Sequence, residues 1–75
     1  MSPSDLREAL ALLRWSQRGL AEALGCDDRI VRRWASGDAV MPADIVLWLS
    51  SLAKAHQANP PPQAWRTRRL ATLAD

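Results

Sequence analysis

The chain has 75 residues, of which 48% are hydrophobic, and a formal net charge of +2. That length accommodates one domain with a modest core, and domains this small usually need a metal, a disulfide or a partner copy for added stability. Cys26 is the only cysteine and His56 the only histidine, so an intrachain disulfide is excluded, no four-ligand zinc site is expected, and oligomerisation is the remaining route.

The abundance of Ala and Leu beside only three glycines favours an all-α globule over a disordered chain. No apolar run approaches the roughly 18–20 residues of a membrane span, and the first residues lack a charged-then-apolar leader pattern. A cytoplasmic protein without membrane contact is therefore expected. Lys54 is the single lysine among ten basic residues, so nine are Arg, with clusters at Arg29, Arg32, Arg33 and at Arg66, Arg68, Arg69. Arg carries a planar fork of donors that matches phosphates and guanine edges, which a lysine ammonium does not.

Ser4 is positioned as the N-cap of a first helix over about residues 5–13, with Leu6, Ala9, Leu10 and Leu13 recurring at i, i+3, i+4 and i+7. Arg14 closes it. Ser16 reads as the N-cap of a short second helix, with Trp15 before it and Leu20 after it as a hydrophobic staple. Leu20, Ala21 and Leu24 form the apolar face of that helix, and Gly25 stops it as a left-handed C′ residue. Gly19 costs this helix roughly 1 kcal/mol relative to Ala.

Only Cys26 and Asp27 separate Gly25 from a third helix, which Asp27 caps and which runs from about Asp28 to Ala35, with Gly37 ending it. On a helical wheel Ile30, Val31 and Trp34 share one side; Asp28, Arg29, Arg32, Arg33 and Ser36 share the other. Such a helix packs through one face and presents guanidinium groups outward. Pro42 suits the first turn of a fourth helix reaching about Ala58, with Ile45, Trp48, Leu49, Leu52 and His56 at core spacing. Val46 and Leu47 lie off that stripe, so this helix is apolar on more than one face. Asn59 and Pro60-Pro61-Pro62 end it. Residues 1–59 are thus read as the domain and 60–75 as a Pro-rich tail, which either forms a short amphipathic helix through Trp65, Leu70 and Leu73 or stays mobile.

Two short helices joined by a tight turn, flanked by one helix on each side, carry the residues Ser16-Gln17-Arg18, Leu20-Ala21-Glu22, Leu24-Gly25, Val31, Arg33-Trp34, Gly37 and Pro42. Leu20, Ala21, Leu24, Val31 and Trp34 are suited to lock the pair into a rigid corner, with small Ala21 allowing close approach and Gly25 the sharp turn. Over about residues 5–57 this string resembles the Cro/C1-type (XRE-like) helix-turn-helix regulators. The resemblance implies a four- to five-helix lambda-repressor-like domain whose recognition helix is the third. By matching position, Asp28, Arg29, Arg32 and Arg33 are then the residues that reach base edges or flanking phosphates in the major groove.

Within that reading Arg29 and Arg32 are the candidates for bidentate contact to guanine O6 and N7, worth about 1–3 kcal/mol of discrimination per base. Arg33 would serve phosphate contact or anchoring. Asp28 would either accept from a cytosine amine or orient a neighbouring Arg. Asp27 and Asp28 together bring negative charge near the groove, lowering non-specific affinity. Gln17 matches a backbone-contacting position at a helix N-terminus, where free amides attract phosphate, and Arg18 adds charge. A narrower resemblance, to anti-CRISPR-associated phage repressors, rests on Ser16-Gln17-Arg18, Ala21-Glu22-Ala23-Leu24-Gly25, Asp28-Arg29 and Pro60–Pro62; it implies repression of the protein's own promoter.

Val46, Leu47 and Trp65 are the candidate dimer contacts, since small domains of the resembled family pair through segments after the motif. A two-fold dimer would set two recognition helices in successive major grooves about 34 Å apart, on an inverted repeat of double-stranded DNA. Plainer readings stand beside these: Cys26 as a small buried hydrophobe, His56 as a partly buried packing residue, Trp34 and Trp48 as packing anchors, and Arg66, Arg68 and Arg69 as a solvated tail. One His, one Cys, no Tyr and no phosphate-cradling glycine loop give no catalytic constellation, so neither an enzyme nor a cofactor, metal or small-molecule ligand is expected. The rival readings are an antitoxin-type regulator and a protein-interaction adaptor whose Arg face meets an acidic partner.

Overall fold

Helix α1, Pro3–Leu13, begins earlier than the expected Ser4 cap. Ser2 is the N-cap: its hydroxyl accepts from the Asp5 backbone N–H and the Asp5 carboxylate accepts from the Ser2 N–H, both at 3.1 Å. Pro3 then occupies the first helical position, where its missing N–H costs nothing, and Asp5 falls at the third, as a reciprocal capping box requires. The computed structural model describes residues 1–62; the expected tail helix, with Trp65 and the arginines from Arg66 to Arg69, lies outside the described residues.

Those residues form four helices and no strand: α1, α2 (Gln17–Leu24), α3 (Asp28–Ser36) and α4 (Ala43–Ala58). None of them is long and apolar enough to cross a membrane. Leu6, Ala9, Leu10 and Leu13 are buried, so the first stripe is the inner face of α1. Arg14 ends the helix in the left-handed region at φ 62°, and the Trp15 N–H reaches back to the Leu10 carbonyl at 2.9 Å. The Ser16 hydroxyl caps α2 by accepting from the Gly19 N–H at 2.9 Å. A Cβ at Gly19 would sit 3.2 Å from that hydroxyl, so the glycine that weakens the helix also leaves the cap its room.

Helix α1 packs against both α3 and α4, while α2 packs against α3. Leu20, Ala21, Val31, Trp34, Ala35, Leu49 and Ala53 join the α1 residues in one core, with Met41 buried from the α3–α4 connection. Trp15 and Trp48 meet with ring centroids 6.1 Å apart and planes tilted by 44°, tying the α1–α2 connection to α4.

Three expectations need correction. Ile30, placed on the packing side of α3, is 43% exposed, because the buried side is narrower and consists of Val31, Trp34 and Ala35. Trp48 packs on Trp15 yet stays 40% exposed, and His56 is exposed rather than partly buried. The reason is shared by both α4 residues: only Leu49 and Ala53 of that helix are buried, with Ile45, Val46 and Leu52 half-buried at its margins. Ala53, one turn after Leu49, takes a core position that a search for large side chains passes over. Pro42 stands just before α4 as its N-cap residue, and Asn59 closes the helix, its amide donating to the Ala55 carbonyl at 2.7 Å.

Candidate nucleic-acid interface

Three residues, Gly25, Cys26 and Asp27, turn the chain from α2 into α3. Gly25 adopts φ 70°, in the left-handed region. The Gly25 and Cys26 N–H groups return to the Glu22 and Ala21 carbonyls at 3.2 and 3.0 Å, so the end of α2 is satisfied within the turn. Cys26 is half-buried against the core. Leu20 and Val31 have no solvent exposure, and with Ala21 and Trp34 they hold the two helices as one corner.

Asp27 caps α3, its Oδ1 accepting from the Arg29 N–H at 2.9 Å. At the other end of the helix the carbonyls of Arg33, Trp34 and Ala35 are met by the Ala39 N–H, the Gly37 N–H and the Arg7 guanidinium. A nine-residue helix capped at both ends and buried on one side is a firm platform for whatever projects from its other side.

Arg29, Arg32 and Arg33 all project from it and are exposed. They are not equivalent. The Asp27 carboxylate grips the Arg29 guanidinium from the side: Nε lies 3.3 Å from both carboxylate oxygens, and Nη2 lies 2.9 Å from Oδ2. Arg32 meets Asp28 through one contact, Nη2 to Oδ2 at 2.7 Å, across one helical turn. The Asp28 carboxylate thus lies against a neighbouring Arg. Arg33 makes no ion pair among the described residues.

The same charges shift one another. The hydrogen bond from the Arg29 side chain, reinforced by the Arg29 backbone N–H, holds the Asp27 carboxyl well below the usual carboxylate range. The partner carboxylate raises the Arg29 guanidinium in turn. Asp27 is therefore ionised whenever the helix is folded at ordinary pH.

Gln17 and Arg18 open α2. Arg18 lies 3.9 Å from Glu22 and lines a shallow depression with Glu22, Cys26, Asp27 and Asp28 at the α2–α3 junction. Arg18 is thus brought beside the acidic start of α3. Gln17 is half-buried at the α2 N-terminus. Three of the four candidate cations, Arg18, Arg29 and Arg32, have an acidic partner within 4.0 Å.

Of the candidate dimer contacts, Leu47 is 72% exposed, Val46 is half-buried against the chain's own core, and Trp65 lies outside the described residues. Val40, which the sequence reading passed over, is 92% exposed in the α3–α4 connection. Two roles for site-supporting residues were also missed. The Asp28–Arg32 pair has the i, i+4 spacing that helix rules find. The Asp27–Arg29 pair does not, because Asp27 stands outside the helix, and Arg7 reaches α3 across 28 residues of sequence. Among the described residues no three His, Cys, Asp or Glu side chains gather as metal ligands. No protein-family model, no curated protein and no solved structure matches this chain.

Proposed function

We propose that the chain is a sequence-specific double-stranded DNA-binding repressor of the Cro/C1-like helix-turn-helix kind, with α3 as the recognition helix. The observation that carries this reading is the exposed Arg29, Arg32 and Arg33 face on a short helix whose opposite side, Val31, Trp34 and Ala35, is buried against α1 and α2. An α-helix fits the major groove, and guanidinium forks match guanine edges and phosphates there. Gln17 and Arg18, at the start of α2, are assigned to the DNA backbone.

The functional unit on this reading is a homodimer bound to an inverted repeat, with the exposed Leu47 as a contact between copies. Occupying a promoter, most simply its own, would block transcription by excluding polymerase. The acidic partners of Arg18, Arg29 and Arg32 offset part of the positive charge on this face, which lowers its non-specific attraction to phosphate.

Titration of the protein against the duplex upstream of its own gene, at two salt concentrations, tests this directly. Selective binding that weakens with salt and is lost in folded Arg29→Ala and Arg32→Ala variants is the expected result. Equal affinity for that duplex and for random duplex would overturn the proposal and favour an acidic protein as the partner of the Arg face.

A further inference from the structure

We propose that Asp27 is a positioning residue that determines which base Arg29 reads, an inference that rests on the DNA-binding function proposed above. A guanidinium has five N–H donors in one plane, arranged as a side edge (Nε and Nη2) and an end edge (Nη1 and Nη2). Asp27 occupies the side edge, with contacts of 3.3 Å to Nε and 2.9 Å to Nη2. The end edge keeps one Nη1 hydrogen and the second Nη2 hydrogen, side by side. Those two nitrogens are the donor pair that meets guanine O6 and N7.

The carboxylate is itself fixed. Its Oδ1 accepts the Arg29 backbone N–H at 2.9 Å as the cap of α3, so one group sets both where the helix starts and where its first long side chain points. Arg29 is otherwise 81% exposed at its side chain and would have many rotamers to lose on binding. Pairing removes much of that freedom in advance. It also changes what Arg29 can bind: a neutral pair attracts phosphate weakly, and a misplaced phosphate would meet the Asp27 oxygens. The pair therefore favours a neutral acceptor edge over the backbone. Arg32 differs, because Asp28 meets it through a single nitrogen, Nη2, at 2.7 Å. One contact leaves that guanidinium free to turn about it, so the fixed reader is Arg29.

Asp27→Asn isolates this role, since Asn caps a helix about as well as Asp but cannot form the ion pair. Asp27→Ser provides a second cap of different length should Asn disturb the turn. The probes are a duplex selected by the wild-type protein from a library randomised over about two helical turns, the same duplex with each guanine changed in turn to adenine, and unselected random duplex. For the wild type, one guanine change is expected to weaken binding by roughly 5- to 150-fold, the discrimination of a bidentate arginine–guanine pair. Both variants should lose most of that factor at that one position. They should also bind random duplex more tightly, with a salt slope steeper by up to about 0.9 for the one freed cation.

A purely structural cap would instead weaken all duplexes together in proportion to the loss of folded protein. That result, or wild-type discrimination persisting in both folded variants, would overturn the inference while leaving the proposed function intact. A wild-type protein that selects no duplex from the library would remove both.

Discussion

The Arg7 guanidinium, on α1, donates from Nη1 to the carbonyl of Ala35 in the last turn of α3 at 2.7 Å. The carbonyl is one of those that the end of a helix leaves without an internal partner, and a cation there also suits the helix dipole. The contact fastens the C-terminal end of the proposed recognition helix to the helix that touches both α3 and α4.

Arg7→Met keeps the apolar stem and removes the donor. It is expected to lower unfolding free energy by about 1.5–3 kcal/mol, the range for a hydrogen bond with one charged partner, as read from urea denaturation. No change would mean that water replaces the guanidinium at no cost.

Of the three helix ends in the left-handed region, the first two carry different residues: Arg14 at φ 62° and Gly25 at φ 70°. A side chain there crowds its own carbonyl, so the two positions should respond oppositely to exchange. Arg14→Gly is expected to stabilise by about 0.5–1 kcal/mol, part of the relief being offset by the freer unfolded chain. Gly25→Ala should destabilise by about 1–2 kcal/mol, even though a Cβ there meets nothing within 4 Å. Equal denaturation midpoints for Gly25→Ala and wild type would show that the turn relaxes to another conformation.

Acid should act through two carboxylates. Asp5 is held below its ordinary 3.8 by the Ser2 backbone N–H and hydroxyl, and Asp27 by the Arg29 side chain and backbone N–H. A carboxylate depressed on folding contributes stability that is complete above the unfolded value and lost as pH falls through the folded one. The melting temperature should therefore be insensitive to these groups above about pH 4 and decline below it. Asp27→Asn should flatten that decline; an acid limb as steep as the wild type's would remove Asp27 from the account.

Leu47 contributes little to the folded protomer, being largely exposed on α4. Leu47→Glu is thus expected to change protomer stability by no more than about 0.5 kcal/mol. In sedimentation it should shift the protein from dimer to monomer, weakening affinity for an inverted repeat while sparing a single half-site. A wild-type protein that sediments as a monomer on and off DNA would exclude the proposed pairing.

The helices were legible because their signals are local. Apolar spacing, Ser16 and Asp27 as caps, and Gly25 and Gly37 as stops act within a few residues of where they stand, and α2 and α3 follow them closely. The start of α1 shows the limit of the same rules: Ser2 and Ser4 both qualify as caps, and Asp5, three residues beyond Ser2, decides between them through the reciprocal hydrogen bonds.

What spacing alone left open was how much of each apolar face finds a partner. Ile30, Trp48 and His56 all have suitable spacing, yet the neighbouring helices cover only Val31, Trp34 and Ala35 on α3 and Leu49 and Ala53 on α4. The candidate site divides in the same way. That Arg29, Arg32 and Arg33 share an outward face follows from helical periodicity. That Asp27 grips Arg29 from the side, that Asp28 holds Arg32 through one nitrogen, and that Arg7 secures Ala35 depend on side-chain directions and on α1 lying against α3, which no repeat in the sequence encodes.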